Sequence, residues 1–335
     1  MIQAYAVQES GGKLSPFEYD PGELGPEDVE IQVEYCGICH SDLSMVNNEW
    51  GNAVYPLVPG HEAAGKVAAV GERVTRVKVG DSVGLGWFAR SCMTCSPCMD
   101  GDHNMCSSRV AEQTIVRRHG AFADKVRCHE AWAVKIPDAV DLAKAGPLFC
   151  GGLTVFNPIQ QFDIRPTQRV GVVGIGGLGH MALMFLRAWG CHVTAFTSSE
   201  AKAEETKQMG AHDVLNSRDA KALRRAGGSF DFILVTVNVG LDWNAYLNCL
   251  KPRGRLHLVG AVLEPMPISV FSLMGGQKSV SSSPLGSPST AAAMLEFCAR
   301  HDIAPVTEEF ALADVNNAIE HLEAGKARYR IVLKV

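Results

Sequence analysis

Hydrophobic and polar positions follow two different rhythms along the chain. Up to about residue 150 the apolar residues come in short alternating runs broken by glycine and proline. Val29-Glu30-Ile31-Gln32-Val33-Glu34, Gly65-Lys66-Val67-Ala68-Ala69-Val70-Gly71, Asp81 to Leu85 and Ala121 to Val126 are the clearest. Alternation of this kind predicts short antiparallel strands in a compact β-rich domain. Beyond residue 150 the pattern becomes strand, turn, helix, strand. An apolar run, Arg169 to Val173, enters Gly174-Ile175-Gly176-Gly177-Leu178-Gly179, and His180 to Trp189 then shows helical spacing. Cys191 to Phe196 predicts a second strand. Helices over Glu200 to Met209, Asp219 to Ala226 and Leu241 to Leu250 alternate with strands at Asp213 to Leu215, Asp231 to Val237, Arg255 to Gly260 and Gln277 to Ser282. That alternation predicts a doubly wound parallel sheet. Ser289 to Arg300 and Asp314 to Ala324 read as helices, and Arg328 to Val335 as a closing strand that can return to the first domain. The fold class is therefore α/β, a β-rich domain joined to a doubly wound one.

The glycine turn matters because of where it lies. Glycines between a strand and a helix allow a tight turn and let a pyrophosphate approach the helix N-terminus. Gly174, Gly176, Gly177, Leu178 and Gly179 are thus candidate cofactor-binding residues. Such folds place an Asp or Glu about 20 residues further on to bind the ribose hydroxyls of NAD. Here that place holds Ser198 and Ser199, and the first acid is Glu200. Two hydroxyls can hydrogen-bond a 2′-phosphate, and Lys202 can add a positive charge. The residues therefore favour NADPH over NADH, although the same serines suit a plain helix cap.

Two groups of metal-ligating residues stand in the first half. Cys39 and His61 lie within Cys36-Gly37-Ile38-Cys39-His40-Ser41-Asp42 and Pro59-Gly60-His61-Glu62. Thiolate and imidazole together suit zinc, and a catalytic zinc keeps one position open after three protein ligands. Cys150 is the candidate third ligand. Asp42 and Glu62 fit behind the ligands, where a carboxylate orients a ligating imidazole. Alone, the stretch is equally compatible with buried small cysteines and a turn-capping histidine. Cys92, Cys95, Cys98 and Cys106 form the other group, a spacing that closes an all-cysteine structural zinc site or holds an iron–sulfur cluster. Cys36, Cys128, Cys191, Cys249 and Cys298 are isolated and read as core or surface fillers.

Composition narrows the picture further. The 335 residues exceed one average domain, with 47% hydrophobic and 20% charged content, as expected of an ordinary globular protein. A net charge of −5 without basic blocks argues against nucleic acid and anionic membranes as partners. No signal-peptide pattern is visible in Met1 to Ser10, and the apolar stretch Val170 to Trp189 is a poor membrane span. Eleven cysteines in such a chain point to metal rather than disulfides, and to the cytoplasm.

Taken together, these motifs resemble the zinc-dependent medium-chain dehydrogenase/reductase family over the whole chain. Cys36 to Asp42, Ala145-Gly146-Pro147-Leu148-Phe149-Cys150-Gly151-Gly152 and Arg328-Tyr329-Arg330 are similar to its cinnamyl-alcohol-dehydrogenase branch, and within it to bacterial NADPH-dependent aldehyde reductases of broad substrate range. The resemblance implies a GroES-like catalytic domain over residues 1–151 with a structural zinc lobe near 90–108. A Rossmann domain would span 152–285, with 286–335 returning to the catalytic domain. It further implies a catalytic zinc on Cys39, His61 and Cys150, a structural zinc on the four-cysteine group, and Glu62 behind the catalytic metal. Ser41 would be the hydroxyl that passes a proton, His40 and Arg330 would lie near the cofactor pyrophosphate, and Thr154 beside the nicotinamide. Many relatives have a histidine where this chain has Ser44, so the solvent end of the proton path must be built differently. Trp50, Trp87 and Phe88 are candidate walls of an apolar substrate pocket or ordinary core aromatics. A homodimer joined through the run Lys278 to Ser283 is the implied assembly. A zinc-free quinone reductase or a zinc-bearing binding module would share the fold but has no need of the open three-ligand site.

Overall fold

The computed structural model describes residues 1–198 and 203–335. The chain divides into two compact units, Met1–Leu153 with Leu285–Val335, and Thr154–Pro284. The C-terminal fifty residues thus belong with the N-terminal half.

The first unit is built on a seven-stranded sheet. Its central strand, Asp28–Ile38, pairs antiparallel with Ala63–Val70, Lys125–His129 and the C-terminal strand Arg330–Lys334. This strand runs four residues past the alternation seen in Val29 to Glu34. Cys36 and Ile38 are buried, so the end of the strand is apolar on its inner face and Gly37 intervenes where alternation is hard to read. Val29, Ile31 and Val33 share one core with Ile2, Leu57, Phe122, Val126 and Ile331. Burial of a Val, Leu, Ile or Phe side chain stabilises by about 1.5–3 kcal/mol, so this sheet is the rigid base for whatever is mounted on its ends. Three elements that the sequence pattern passed over arise here. The N-terminal hairpin pairs Ile2–Ala6 with Ser15–Tyr19, and the helices His40–Val46 and Gly151–Gln161 are too short or too uniformly apolar to show a clear period.

The second unit is a six-stranded parallel sheet in the order Asp213–Asn216, His192–Thr197, Arg169–Val173, Phe230–Val235, Leu250–Leu258, Ser279–Ser282. Strand order reverses direction on either side of Arg169–Val173, which creates the switch point where open α/β sheets bind ligands. The strand read as Arg255 to Gly260 begins earlier, at Leu250, with a register irregularity near Phe230. Lys251, Pro252 and Arg253 disguise its first half, because polar residues and a proline demote a run that hydrogen bonding nevertheless extends. Among the described residues no helix is long and apolar enough to cross a membrane.

Candidate active site

The end of the central strand delivers Cys39, which sits at the N-cap of the helix His40–Val46. His61 and Glu62 immediately precede the neighbouring strand Ala63–Val70, and Cys150 closes the tight turn Gly146–Phe149. Ligand atoms of Cys39, His61, Glu62 and Cys150 all lie within 4.8 Å of one another. Cys39 Sγ is 3.9 Å from Cys150 Sγ, and His61 Nε2 is 3.3 Å from the same sulfur. Asp42 orders this cluster from behind. Its Oδ1 accepts from His61 Nδ1 at 2.8 Å and from the Gly60 N–H at 2.9 Å, and its Oδ2 accepts from the Cys39 N–H at 2.9 Å. With Nδ1 donating, the free Nε2 lone pair faces the thiols, as a metal-ligating imidazole requires.

Burial and mutual hydrogen bonding shift the protonation of these groups. Hydrogen bonding to Cys150 holds the Cys39 thiol well below its usual range, while that contact and burial push Cys150 well above it. Burial raises the Glu62 carboxyl to about 7 against the opposing pull of Arg330. Tetrahedral ligation at a zinc–sulfur distance of about 2.3 Å sets neighbouring sulfurs roughly 3.8 Å apart. The observed 3.9 Å fits. Two thiols and an imidazole from separate buried segments thus meet here, with the Glu62 carboxylate as the fourth group of the cluster.

Arg330 is itself buried and forms an ion pair with Glu62. The sequence reading gave these two residues separate roles and did not anticipate their contact. Glu62 Oε2 has no hydrogen-bond partner among the described residues. Gly37 explains why the carboxylate fits: a Cβ there would stand 1.9 Å from Glu62 Oε2. Ser41 is half-buried on the first turn of the helix and His40 is exposed. Three residues on from Ser41, Ser44 Oγ donates to the exposed Glu49 carboxylate at 2.7 Å. The Trp87 ring meets His61 edge-on at 5.1 Å and Trp50 packs on Trp87 at 5.8 Å, so Trp87 stands beside a candidate metal ligand and Trp50 behind it. Phe88 packs instead on Trp132, at 5.3 Å.

The four-cysteine lobe is a different construction. Cys92 and Cys98 sulfurs are 4.0 Å apart, Cys95 and Cys106 3.8 Å. Backbone N–H groups of Cys95 and Cys92 donate to Cys92 Sγ and Cys106 Sγ at 3.2 and 3.3 Å. Hydrogen bonds from the Thr94 and Cys95 backbone pull the Cys92 thiol down to about 5. All four ligand atoms lie within 4.8 Å, the edge lengths of a tetrahedron around a single ion. A cluster with each cysteine on a different iron needs a wider cage, so the geometry favours zinc over iron–sulfur. The other five cysteines are all buried, none at the surface.

In the second unit the glycine turn has the shape a pyrophosphate needs. Gly174 has φ +87°, and a Cβ on Gly179 would stand 1.9 Å from the Gly174 carbonyl. Above Gly176 nothing lies within 4 Å, which leaves backbone N–H groups approachable at the turn. Gly177 is half-buried, and Leu178 occupies the N-cap of the helix Gly179–Trp189. Two residues missed in the sequence brace this turn. Thr236 Oγ1 donates to the Val173 and Gly174 carbonyls, and His180 Nδ1 donates to the Gly176 carbonyl at 3.1 Å. A polar residue at the start of an otherwise apolar helix was the available signal for His180. Thr154 is buried on the helix Gly151–Gln161. Ser198 is exposed just after the strand His192–Thr197. Ser199 and Lys202 lie outside the described residues.

Comparison with known proteins agrees with this layout. The alcohol dehydrogenase GroES-like domain matches residues 25–138, and the zinc-binding dehydrogenase domain matches residues 177–300. The chain is 58% identical over 333 residues to the aldehyde reductase AdhA of Synechocystis sp., covering 99% of this chain and 98% of that one. Among solved structures it is similar to a cinnamyl alcohol dehydrogenase of Sorghum bicolor (TM-score 0.95, 38% identity, 99% and 97% of the two chains). A cinnamyl alcohol dehydrogenase of Helicobacter pylori, solved with NADP(H), matches with TM-score 0.91 and 31% identity over 99% and 97% of the chains. With its GroES-like and Rossmann units and its two clusters of zinc-ligating side chains, the chain belongs to the zinc-dependent medium-chain dehydrogenase/reductase family, in the cinnamyl-alcohol-dehydrogenase branch.

Proposed function

We propose that the protein is an NADPH-dependent aldehyde reductase, interconverting an aldehyde and its primary alcohol by hydride transfer. The observation that supports this reading is the buried cluster of Cys39, His61 and Cys150 with Glu62 beside them, two thiols and an imidazole that suit a catalytic zinc, which keeps a position open for a substrate oxygen. When bound, zinc polarises the carbonyl as a Lewis acid and NADPH supplies the hydride. Every further requirement falls to the chain itself. Asp42 holds His61 in its ligating tautomer. Trp87 and Trp50 wall the site with apolar surface, which excludes water and favours the uncharged aldehyde. Reduction consumes one proton at the carbonyl oxygen, and Ser41 is the hydroxyl placed to donate it. Ser44, one turn on and donating to the exposed Glu49 carboxylate, would relay the replacement proton that Glu49 takes up from solvent. This pair takes the place of the histidine common in relatives.

Cys92, Cys95, Cys98 and Cys106 hold the second, structural zinc, giving two per chain. NADPH is favoured because in the sequence Ser198 and Ser199, not an acid, fall at the position of the NAD-binding carboxylate, and Lys202 follows to add a positive charge. The Helicobacter pylori relative, bound to NADP(H), supports this choice. His40, Thr154 and Arg330 keep their assigned roles toward the cofactor. The assembly is a homodimer: Ser279–Ser282 is an open edge strand, and the nearby helix Val270–Met274 exposes Val270, Phe271 and Met274. With eleven reduced cysteines the enzyme suits the cytoplasm. Initial rates over aliphatic and aromatic aldehydes with both cofactors are the test. Aldehyde reduction with NADPH that disappears in Cys39→Ala is expected; equal or better efficiency with NADH, or full activity in that variant, would overturn the reading.

A further inference from the structure

We infer that Arg218 is a second cationic determinant of the cofactor 2′-phosphate, contributed by the strand beside the one that carries Ser198. The inference rests on the NADPH reading above and extends it to a residue outside the strand-to-helix turn that normally decides cofactor choice. In the parallel sheet Thr197 is in register with Asn216, and the Ser217 N–H donates to the Thr197 carbonyl at 3.0 Å. Adjacent strands lie about 5 Å apart. The two residues that follow Asn216 therefore stand one strand spacing from the end of His192–Thr197, at the C-terminal rim where dinucleotides bind.

The backbone there is fixed. Asn216 Oδ1 accepts from the Arg218 N–H at 2.9 Å, and the Asn216 carbonyl accepts from the Asp219 N–H at 3.1 Å. Arg218 is exposed, and its guanidinium has no ion pair or hydrogen bond among the described residues. Two neighbouring arginines are engaged: Arg169 pairs with Asp213 and Arg225 with Asp219. Asp219, the one acid beside Arg218 in sequence, caps the next helix by accepting from the Lys221 N–H at 2.8 Å. An unpaired guanidinium on a backbone held at the rim matches a phosphate in charge and in its bidentate geometry. It offers an unphosphorylated ribose no such partner.

Calorimetric titration with 2′,5′-ADP and 5′-AMP tests this on the intact enzyme without turnover. Arg218→Ala should lose roughly tenfold to hundredfold in affinity for 2′,5′-ADP and keep that for 5′-AMP. In steady state the NADPH KM should rise with kcat unchanged, since ground-state binding is removed. Arg218→Lys, which keeps the charge but not the fork, should fall between. Equal loss for both nucleotides, or no loss for 2′,5′-ADP in a wild type that prefers it, overturns the role of Arg218 and leaves the NADPH reading standing. A wild type that binds 5′-AMP as tightly as 2′,5′-ADP overturns the cofactor reading itself. Arg218→Gln, retaining the polar stem, repeats the titration if the alanine variant unfolds.

Discussion

The two clusters of metal-ligating residues share a chemistry and differ in construction. Cys92 to Cys106 form a local loop, half-exposed, whose sulfurs are held by neighbouring backbone N–H groups. Cys39, His61 and Cys150 come from three segments up to 111 residues apart, all buried, with a carboxylate behind them. A local loop with four ligands is closed and can only bind a metal. A buried site assembled from the ends of a packed sheet has three thiol and imidazole donors with the Glu62 carboxylate beside them, and a zinc held by three protein ligands can keep a place for substrate. Structural and catalytic roles thus follow from how each cluster is connected to the core.

Replacing a ligand in each cluster breaks the comparison most sharply. Cys39→Ala should remove one of two zincs by elemental analysis and lower kcat/KM by roughly a thousandfold or more, with little change in Tm. Persistence of both zincs would dissolve the distinction. Cys95→Ala should likewise lose one zinc, but with a stability loss of about 3 kcal/mol, on the order of 10 °C in Tm, because structural metal binding is folding energy. Thermal unfolding followed by circular dichroism reads this directly; a variant as stable as wild type would make the lobe dispensable.

Smaller effects separate the shells around the open site. Asp42→Asn leaves the ligands in place but removes the carboxylate that orients His61, and should cost about 10–100-fold in zinc affinity or activity. A chelator competition assay measures the first. Smallest of all, Ser44→Ala should slow aldehyde reduction a few-fold, about 1 kcal/mol, and Glu49→Gln should do the same if the two act in series. The double variant then matches either single one. Additive losses would show that the pair is not a single path.

A stability measurement away from both clusters calibrates these losses. Burial alone would raise the Glu30 carboxyl, but hydrogen bonds from Arg127 and Lys125 outweigh it and hold the group below its usual range. A depressed folded-state pKa contributes stability that is present above the unfolded value and lost as pH falls through the folded one. Glu30→Gln should therefore destabilise by about 1.5–3 kcal/mol at pH 7, a gap that closes at an acid pH below the usual carboxylate range. Urea unfolding at the two pH values checks it.

Much of the layout could be read before any coordinates. The glycine turn, its flanking strand and helix, and the four-cysteine spacing are local, and local geometry is written in consecutive residues. Gln277 to Ser282 and Ser289 to Arg300 fall close to the strand Ser279–Ser282 and the helix Pro288–His301 for the same reason. The strand from Leu250 was shortened in the reading because its first half carries Lys251, Pro252 and Arg253, and partners across the sheet extend it. Pairing of Glu62 with Arg330, 268 residues apart, leaves no periodic trace at all. Neither does the meeting of Trp87 with His61.

The sequence by itself determined which residues can ligate metal, where the chain must turn tightly, and that serines rather than an acid come directly after the second strand of the nucleotide-binding half. These are properties of side-chain chemistry and of short-range backbone sterics. Only the tertiary structure decided that Cys150 comes within 3.9 Å of Cys39, that Asp42 serves three donors at once, that Glu62 shares its burial with Arg330, and that Asn216 stands in register with Thr197. Each of those depends on strand register and on packing between distant segments, which a linear pattern does not encode.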